Sequence, residues 1–276
     1  MGRKIVRRRI VRATLDGPRK IREEKLAVEE PLEIRFGHTA FTTSMRTPGD
    51  DFDMVAGFLL AEGIIAKPEH LVSMRYCAGT DENGMQTFNV IEVQLGFGAQ
   101  APDLSQARNV VTSSACGICG TNSIDEVRKK SVFGIDPDNA RVELEILLAM
   151  PERLRVAQEL FERTGGVHAA GLFNTNGELL LLREDVGRHN AVDKVIGAAL
   201  REGMFPLKDT VLQVSGRASF ELVQKAAMAG IGVLSAVSAP SSLAVELAEE
   251  SGLTLAAFSR GSSVNLYTHA ERILST

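Results

Sequence analysis

The segment Thr112-Ser113-Ser114-Ala115-Cys116-Gly117-Ile118-Cys119-Gly120 sets two cysteines at CxxC spacing inside a run of small residues. Such a run suits a loop whose backbone can approach another macromolecule closely better than it suits a buried strand. Thr121-Asn122-Ser123 offers a helix cap ahead of residues 124–130. That would hold both sulfurs near the positive end of a helix dipole and lower a thiol pKa. Three chemistries compete for the pair. Structural zinc normally takes four ligands, and the only other cysteine is Cys77, with no second CxxC and no paired-His spacing. A dithiol-disulfide redox pair is natural for CxxC, but thioredoxin-like proteins carry it after an early strand of a smaller fold. In a sulfur relay, an accessible thiolate takes the outer sulfur of a donor persulfide and passes it on. Burial as two small hydrophobes is disfavoured by the glycine after each cysteine.

Three further segments could handle anions or protons. Val214-Ser215-Gly216-Arg217 joins a strand end to a helix start, where free N–H groups, the dipole and the Arg217 guanidinium suit a phosphate, although a simple tight turn explains it about as well. Asp185, His189 and Asp193 recur at a spacing of four, with Arg188 beside them. On one helix face, two carboxylates would raise the proton affinity of the histidine, and a solvated charged face is the competing reading. Phe258-Ser259-Arg260-Gly261-Ser262-Ser263 follows the last strand of an α/β pattern, and open α/β sheets bind ligands beyond the carboxyl ends of their strands.

The elements that must position these groups fall into two regions. The 276 residues are 44% hydrophobic and 24% charged with mean hydropathy +0.01, which excludes a disordered chain and predicts one or two folded domains. Three cysteines cannot staple a secreted domain, so a cytoplasmic location is expected. The 20-residue charge-free stretch 226–245 could span a bilayer by length, but Gly230, Gly232, Pro240 and four serines break it into a helix end, a short strand and a loop. The N-terminus lacks the apolar core of a secretory signal. Net charge is −4, yet residues 1–25 hold ten basic against three acidic side chains, leaving +7 there and −11 elsewhere. Ile5, Val6, Ile10 and Val11 punctuate the basic run as in an exposed edge strand, and no zinc-finger spacing or aromatic RNA-binding signature supports nucleic acid as a partner.

Residues 27–35 and 39–45 read as a hairpin around Gly37-His38. Thr47-Pro48-Gly49-Asp50-Asp51 then caps a short amphipathic helix that Gly63 interrupts. Residues 72–77 and 87–95 read as strands about an Asp81-Glu82-Asn83-Gly84 turn, and 96–106 as a boundary loop. Residues 1–110 therefore form a strand-rich α+β region. In 111–276, a helix over 151–164 and a hairpin, 168–173 with 178–182, precede an alternation: helices at 188–201, 218–229 and 242–250, strands at 210–214, 232–237 and 253–258. This predicts an α/β domain of three layers around parallel strands.

Met45-Arg46-Thr47-Pro48-Gly49-Asp50-Asp51, Gly57 to Gly63, the CxxC segment, Arg183 to Asp193, Ser215 to Phe220 and Val237 to Ser242 jointly resemble the FdhD family, in unbroken order from about residue 27 onward. The resemblance implies a sulfur carrier, a sulfurtransferase that takes persulfide sulfur from a cysteine desulfurase. It would deliver that sulfur to the bis-molybdopterin guanine dinucleotide molybdenum cofactor needed by formate dehydrogenase. Cys116 matches the family's persulfide-carrying cysteine, Cys119 its less essential partner, and Phe258 to Ser263 its cofactor-binding segment. The family's larger domain is similar to the cytidine-deaminase fold. The zinc enzymes of that fold carry His-x-Glu before Pro-Cys-x-x-Cys, whereas here His168-Ala169-Ala170 lacks the Glu and the CxxC comes first. No metal is therefore expected, and GDP, a fragment of the cofactor, is the expected simple ligand, with its pyrophosphate against Gly216, Arg217 and the 258–263 loop. A homodimer stays open. The rival readings are a cofactor chaperone with a redox-active CxxC and a dithiol-disulfide oxidoreductase.

Overall fold

The computed structural model describes residues 2–77, 79, 87–100, 102, 111–112 and 131–275. Cys116 and Cys119, the predicted helix after them and the predicted turn at 81–84 lie outside the described residues.

The basic N-terminal run is more than one strand. β1 (Ile5–Thr14) and β2 (Gly17–Ala27) pair antiparallel with each other alone, from Ile5 opposite Ala27 out to Thr14 opposite Gly17. The next hairpin falls close to expectation as β3 (Glu30–Phe36) and β4 (Thr39–Arg46), and β5 (Leu71–Tyr76) pairs antiparallel with β6 (Val90–Leu95). With β7 (Val111–Thr112) they form a five-stranded sheet in the order β5-β6-β3-β4-β7.

The second sheet has six strands in the order β10-β9-β11-β12-β13-β14. Strands β11 (Thr210–Val214), β12 (Val233–Ala236) and β13 (Thr254–Arg260) are parallel, as the alternation predicts. Antiparallel β9 (His168–Asn174) and β10 (Leu179–Asp185) flank them on one side and β14 (Ser263–Thr268) on the other, so the sheet is mixed. Strand β13 runs two residues past the expected end. Phe258, Ser259 and Arg260 thus belong to a strand that turns back at Gly261 (φ 59°) rather than to a loop beyond it. A short parallel pair, β8 (Val142–Glu143) with β15 (Ile273–Leu274), ties the C-terminus to the start of the second region.

Helix α1 spans Asp51–Ala61, α2 Leu144–Ala157, α3 Glu159–Thr164, α4 Arg188–Arg201, α5 Phe220–Met228 and α6 Ser242–Ser251. Helix α2 starts seven residues before the predicted one and carries Pro151 in its interior, and Gln158 separates it from α3. On one face of the six-stranded sheet, α2 buries Leu147, Met150 and Leu154 against Ala169, Phe173, Val211, Val233 and Ala256. On the other face, α4, α5 and α6 cover Ala170, Leu172, Leu212, Val214, Leu234 and Leu255. The same core continues through α1 into Leu32, Ile34, Ile91 and Val93 of the five-stranded sheet.

Helix α1 is therefore not amphipathic. It lies between α4 and the five-stranded sheet, and even Asp51 and Asp53 are buried. On one side Phe58 packs against Phe41 and Phe52 against Tyr76. On the other, α1 crosses α4 at two glycines: a Cβ on Gly57 would overlap the Asp193 carbonyl, and one on Gly197 would overlap the Asp53 carbonyl. Helix α4, covered by α1 and by the sheet, is buried from His189 to Leu200.

A buried polar lattice holds this stack in register. The Asp185 carboxylate, 0% exposed, accepts hydrogen bonds from Thr47 N (3.0 Å), Gly187 N (2.8 Å) and Asn190 Nδ2 (3.0 Å) and faces Lys194 Nζ at 2.7 Å. Lys194 also donates to Thr47 O (2.8 Å), and Val186 N donates to Thr47 Oγ1 (3.1 Å). Arg46, equally buried, forks onto Asp51 at 3.1 Å on both oxygens and reaches Phe88 O at 3.0 Å.

Two outcomes follow from this packing. Alanine is favoured over glycine within a helix by about 0.5–1 kcal/mol, so Gly57→Ala or Gly197→Ala would stabilise an isolated helix. At this crossing each should instead destabilise by about 1–3 kcal/mol or more, because carbonyls must move apart. Urea melts of both, with Gly134→Ala as a reference in open space, measure the sign. Asp185→Asn leaves Lys194 buried without its counter-charge and should cost about 3–5 kcal/mol. Adding Lys194→Met should recover part of that loss in the same melts.

Candidate functional site

The carboxyl ends of the three parallel strands converge on one edge, where their following segments are stitched together by backbone hydrogen bonds. Val237 N donates to Val214 O (3.3 Å), Ser238 N to Gly216 O (3.4 Å), Phe258 N to Ser238 O (3.3 Å) and Ala218 N to Ala239 O (3.2 Å). The sequence-predicted segments 215–217 and 258–263 are thus brought to the same edge, with 237–241 between them. Beside this edge, on the α2 face of the sheet, lies a cavity of about 670 Å³, within the size range of small-molecule sites.

Of the predicted residues, Arg260 and Gly261 line this cavity together with Ser215, Val237, His168 and Val186. Arg217 is exposed on the adjacent segment and is not among the lining residues. Ser262 and Ser263 are exposed in and beyond the β13–β14 turn. Gly216 is half-buried, and a Cβ there would meet His168 Nδ1 at 3.5 Å and Arg188 Cδ at 4.0 Å, which sets these three groups at the mouth. Phe258 holds φ 53°, a left-handed conformation that costs a bulky residue about 1–3 kcal/mol, and the Arg260 guanidinium lies 5.9 Å from its ring centroid. Ser259 is wholly buried, and its Oγ has no hydrogen-bond partner among the described residues.

His168 stands at the start of β9, and burial, followed by the charge of Arg188, pushes its pKa below the usual histidine value. The imidazole is therefore neutral at pH 7, yet an anion bound in the cavity would favour its protonated form. The sequence pointed to this residue as the start of an apolar strand and as a histidine lacking the Glu of a His-x-Glu motif, not as a ligand-facing group.

The Asp185, His189 and Asp193 set does not share one solvated helix face. Asp185 ends β10, ahead of α4, and all three are buried. Each has its own partner. Asp185 pairs with Lys194. Asp193 pairs with Lys225 at 2.7 Å, although burial still raises its pKa. His189 Nε2 lies 3.2 Å from Ser219 Oγ and 3.5 Å from Glu221 Oε2, and the hydrogen bond from His189 brings the Glu221 pKa down to about 2. These charges brace the frame behind the strand ends. Arg188 Cδ lies 4.0 Å from where a Cβ on Gly216 would stand, and its Nε is buried without a partner among the described residues.

No group of three or more metal-ligating side chains occurs among the described residues, and no helix there is long and apolar enough to cross a membrane. A relative from Mycolicibacterium paratuberculosis named Sulfur carrier protein FdhD is 57% identical over 267 residues, covering 97% of this chain and 98% of its own. One of the same name from Sulfolobus acidocaldarius is 42% identical over 258 residues, covering 94% of each. A solved structure from Desulfotalea psychrophila, assigned as a formate dehydrogenase accessory protein, superposes with a TM-score of 0.71 at 27% identity, covering 99% of this chain and all of its own. With the FdhD/NarQ family model matching residues 27–274 as well, this chain belongs to the FdhD/NarQ family.

Proposed function

We propose that this protein carries sulfur for formate dehydrogenase: Cys116 accepts a sulfur atom from a cysteine desulfurase, and the strand-end cavity holds the molybdenum cofactor that receives it. The observation that carries the reading is the convergence of Arg260, Gly261, Ser215 and His168 on one cavity of about 670 Å³ in a chain whose relatives are named sulfur carriers. Guanidinium and strand-end N–H groups suit phosphate oxygens, so the pyrophosphate of a bis-molybdopterin guanine dinucleotide, here the substrate, would lie toward Arg260. Arg217, exposed on the neighbouring segment, would meet the outer part of so large a ligand.

The chemistry needs one thiolate. Cys116 Sγ attacks the outer sulfur of the donor persulfide, a new S–S bond forms as the donor's breaks, and the donor leaves as its thiolate with no net redox change. In the second step Cys119 attacks Cys116 Sγ, a disulfide forms, and the carried sulfur leaves as sulfide, with the two thiols supplying the electrons. An external thiol can replace Cys119 in this step, only more slowly. The cytoplasm, where thiols stay reduced, is the compartment this chemistry fits.

The cysteines should therefore be unequal. In a deletion strain at matched expression, Cys116→Ala should abolish formate dehydrogenase activation, whereas Cys119→Ala should reduce it. Full activity from Cys116→Ala removes the mechanism, and equal complete loss from both favours the dithiol reading. After treatment with a desulfurase and cysteine, peptide mass mapping should show one added sulfur on Cys116. None would favour a cofactor chaperone.

Arg260→Ala should weaken GDP binding about 10-fold or more, since a charge-assisted contact contributes about 1.5–3 kcal/mol. His168 adds a pH dependence with a definite sign. Its pKa is depressed in the free protein, so a bound anion draws a proton onto it, and GDP affinity should gain as the pH is lowered. The gain is read as the difference between wild type and His168→Gln in calorimetric titrations from pH 7.5 to 5.5, which cancels the titration of the phosphate itself. Identical profiles would exclude His168 from the site.

A further inference from the structure

The proposed sulfur transfer makes no use of the N-terminal ribbon, and the family match begins at residue 27, where β2 ends. Of the ten basic side chains in residues 1–25, Lys4, Arg7 and Arg22 hold ion pairs among the described residues, with Asp50, Glu23 and Glu24. The strand register also sets like charges face to face. Arg7 stands opposite Lys25, and Arg12 opposite Lys20. Like charges directly opposite destabilise an antiparallel pair, and this pair is already marginal for want of a covering layer. A carboxylate in place of either lysine would steady the ribbon, so these cations do not serve its fold.

The Arg7–Lys25 pair borders a concavity of about 410 Å³, which Arg3 and Arg8 line from the same arm and Arg163 from α3. All five cations are exposed, and no acidic side chain lines the hollow. Within this group Arg7 has a carboxylate partner, Glu23 at 3.6 Å, and both of those side chains are largely exposed. A neighbouring concavity of about 540 Å³ shares Arg3, Ile5 and Arg163 but is mixed in charge. There Asp50 pairs with Lys4, and Glu184 accepts from the Leu160 and Phe161 amides. The uncompensated charge is therefore on the ribbon side, where an anion relieves the mutual repulsion of the cations.

The half-buried Ile5 and Val6 complete the lining and decide what kind of anion fits. A phosphate backbone matches the charge but offers nothing to two aliphatic side chains. A second ribbon would bring the same cations. An extended polypeptide with acidic and apolar residues in alternation matches both features. We propose that this hollow docks an extended acidic segment of a partner protein, with carboxylates against Arg7, Lys25 and Arg163 and an intervening apolar side chain against Ile5 and Val6. Docking turns the repulsion within the ribbon into attraction toward the partner and supplies the cover that the ribbon lacks. The hollow shares no lining residue with the strand-end cavity and is independent of what that cavity binds.

The test is fluorescence anisotropy of the full chain with two labelled short peptides, one alternating glutamate with valine and one alternating glutamate with serine. A DNA duplex and tripolyphosphate serve as competitors, at about 0.15 M salt, where exposed charges are screened over about 8 Å. Wild type, Lys25→Glu, Arg163→Glu and Lys20→Glu are compared, each first shown to be folded by its thermal melt. The valine peptide should bind wild type more tightly than the serine peptide. Lys25→Glu sets a carboxylate opposite Arg7, so it should slow hydrogen exchange over the ribbon while lowering peptide affinity about 5-fold or more, opposite signs that a merely structural role does not produce. Arg163→Glu, outside the ribbon, should lower affinity by a similar factor. Lys20→Glu makes the same charge change five residues from Lys25, about 17 Å along the strand, and should alter affinity less than about 2-fold. Equal losses in all three variants mean a diffuse attraction and overturn the proposal. So do equal affinities for the two peptides, tighter binding of the duplex or of tripolyphosphate, and no peptide binding by wild type. Sedimentation of the unliganded chain tests the remaining occupant: self-association that Lys25→Glu and Arg163→Glu both abolish assigns the hollow to a second copy and overturns the acidic partner.

Discussion

The fold turns on a carboxylate that water never reaches. Asp185 ends one edge strand of the six-stranded sheet, and its two oxygens gather the Thr47 and Gly187 amides, the Asn190 side chain and the Lys194 ammonium. A lone buried carboxylate would be strongly disfavoured, and this one persists because each lone-pair direction meets a donor or a charge. The donors come from three places in the chain: the segment that leads into α1, the turn before α4, and α4 itself. Those three pieces can satisfy one carboxylate only in one relative placement, and that placement brings α1 across α4 close enough that only glycine fits at the contact. A second ion pair, Asp193 with Lys225, then fixes α5 to α4, and Arg183 and Arg201 clasp Asp53 from the other side.

The consequence for function is a division of labour. Apart from Arg188, the charged residues of the segment 183–193 are engaged within the frame and do not face a ligand. They hold rigid the helices behind the strand ends, and the ligand-facing groups sit on the short connections in front. Two buried polar atoms near that front have no partner among the described residues, the Arg188 Nε and the Ser259 Oγ, the latter next to Phe258 in a strained backbone conformation. Strain and unsatisfied polar groups persist where the surrounding packing is strong enough to impose them.

The N-terminal hairpin obeys another balance. Among the described residues β1 and β2 pair only with each other, and Val11 and Ile21, opposite one another in register, are each 59% exposed. A two-stranded ribbon without a covering layer is marginal in water. Near its base, Arg3, Arg7, Arg8, Lys25 and Arg163 line a concavity of about 410 Å³, and α3 packs against β2 there. The +7 charge of this arm against −11 elsewhere favours its folding back toward the acidic body and discourages edge pairing between copies.

Composition and periodicity by themselves determined much of the secondary structure. The helix over 188–201 and the strand over 210–214 match to the residue, because Gly187 and Gly203 flank the helix and the β-branched run Thr210-Val211 with Val214 marks the strand through local backbone preferences. The hairpins followed from turn residues, and the resemblance that led to the family rested on the order of short motifs. What those patterns could not determine was which faces are covered twice. Helices α1 and α4 carry polar residues that read as solvated, yet a sheet and a helix close over both, and the charges survive because partners outside each helix complete them, as Arg46 does for Asp51, Lys225 for Asp193 and Thr47 for Lys194. The antiparallel strands that make the six-stranded sheet mixed, and the gathering of Arg260, His168 and Gln158 around one cavity, likewise depend on contacts between distant segments. Local preference sets an element's type within a few residues of chain. Burial and partnership are set by whatever packs against it, and only the tertiary structure decided that.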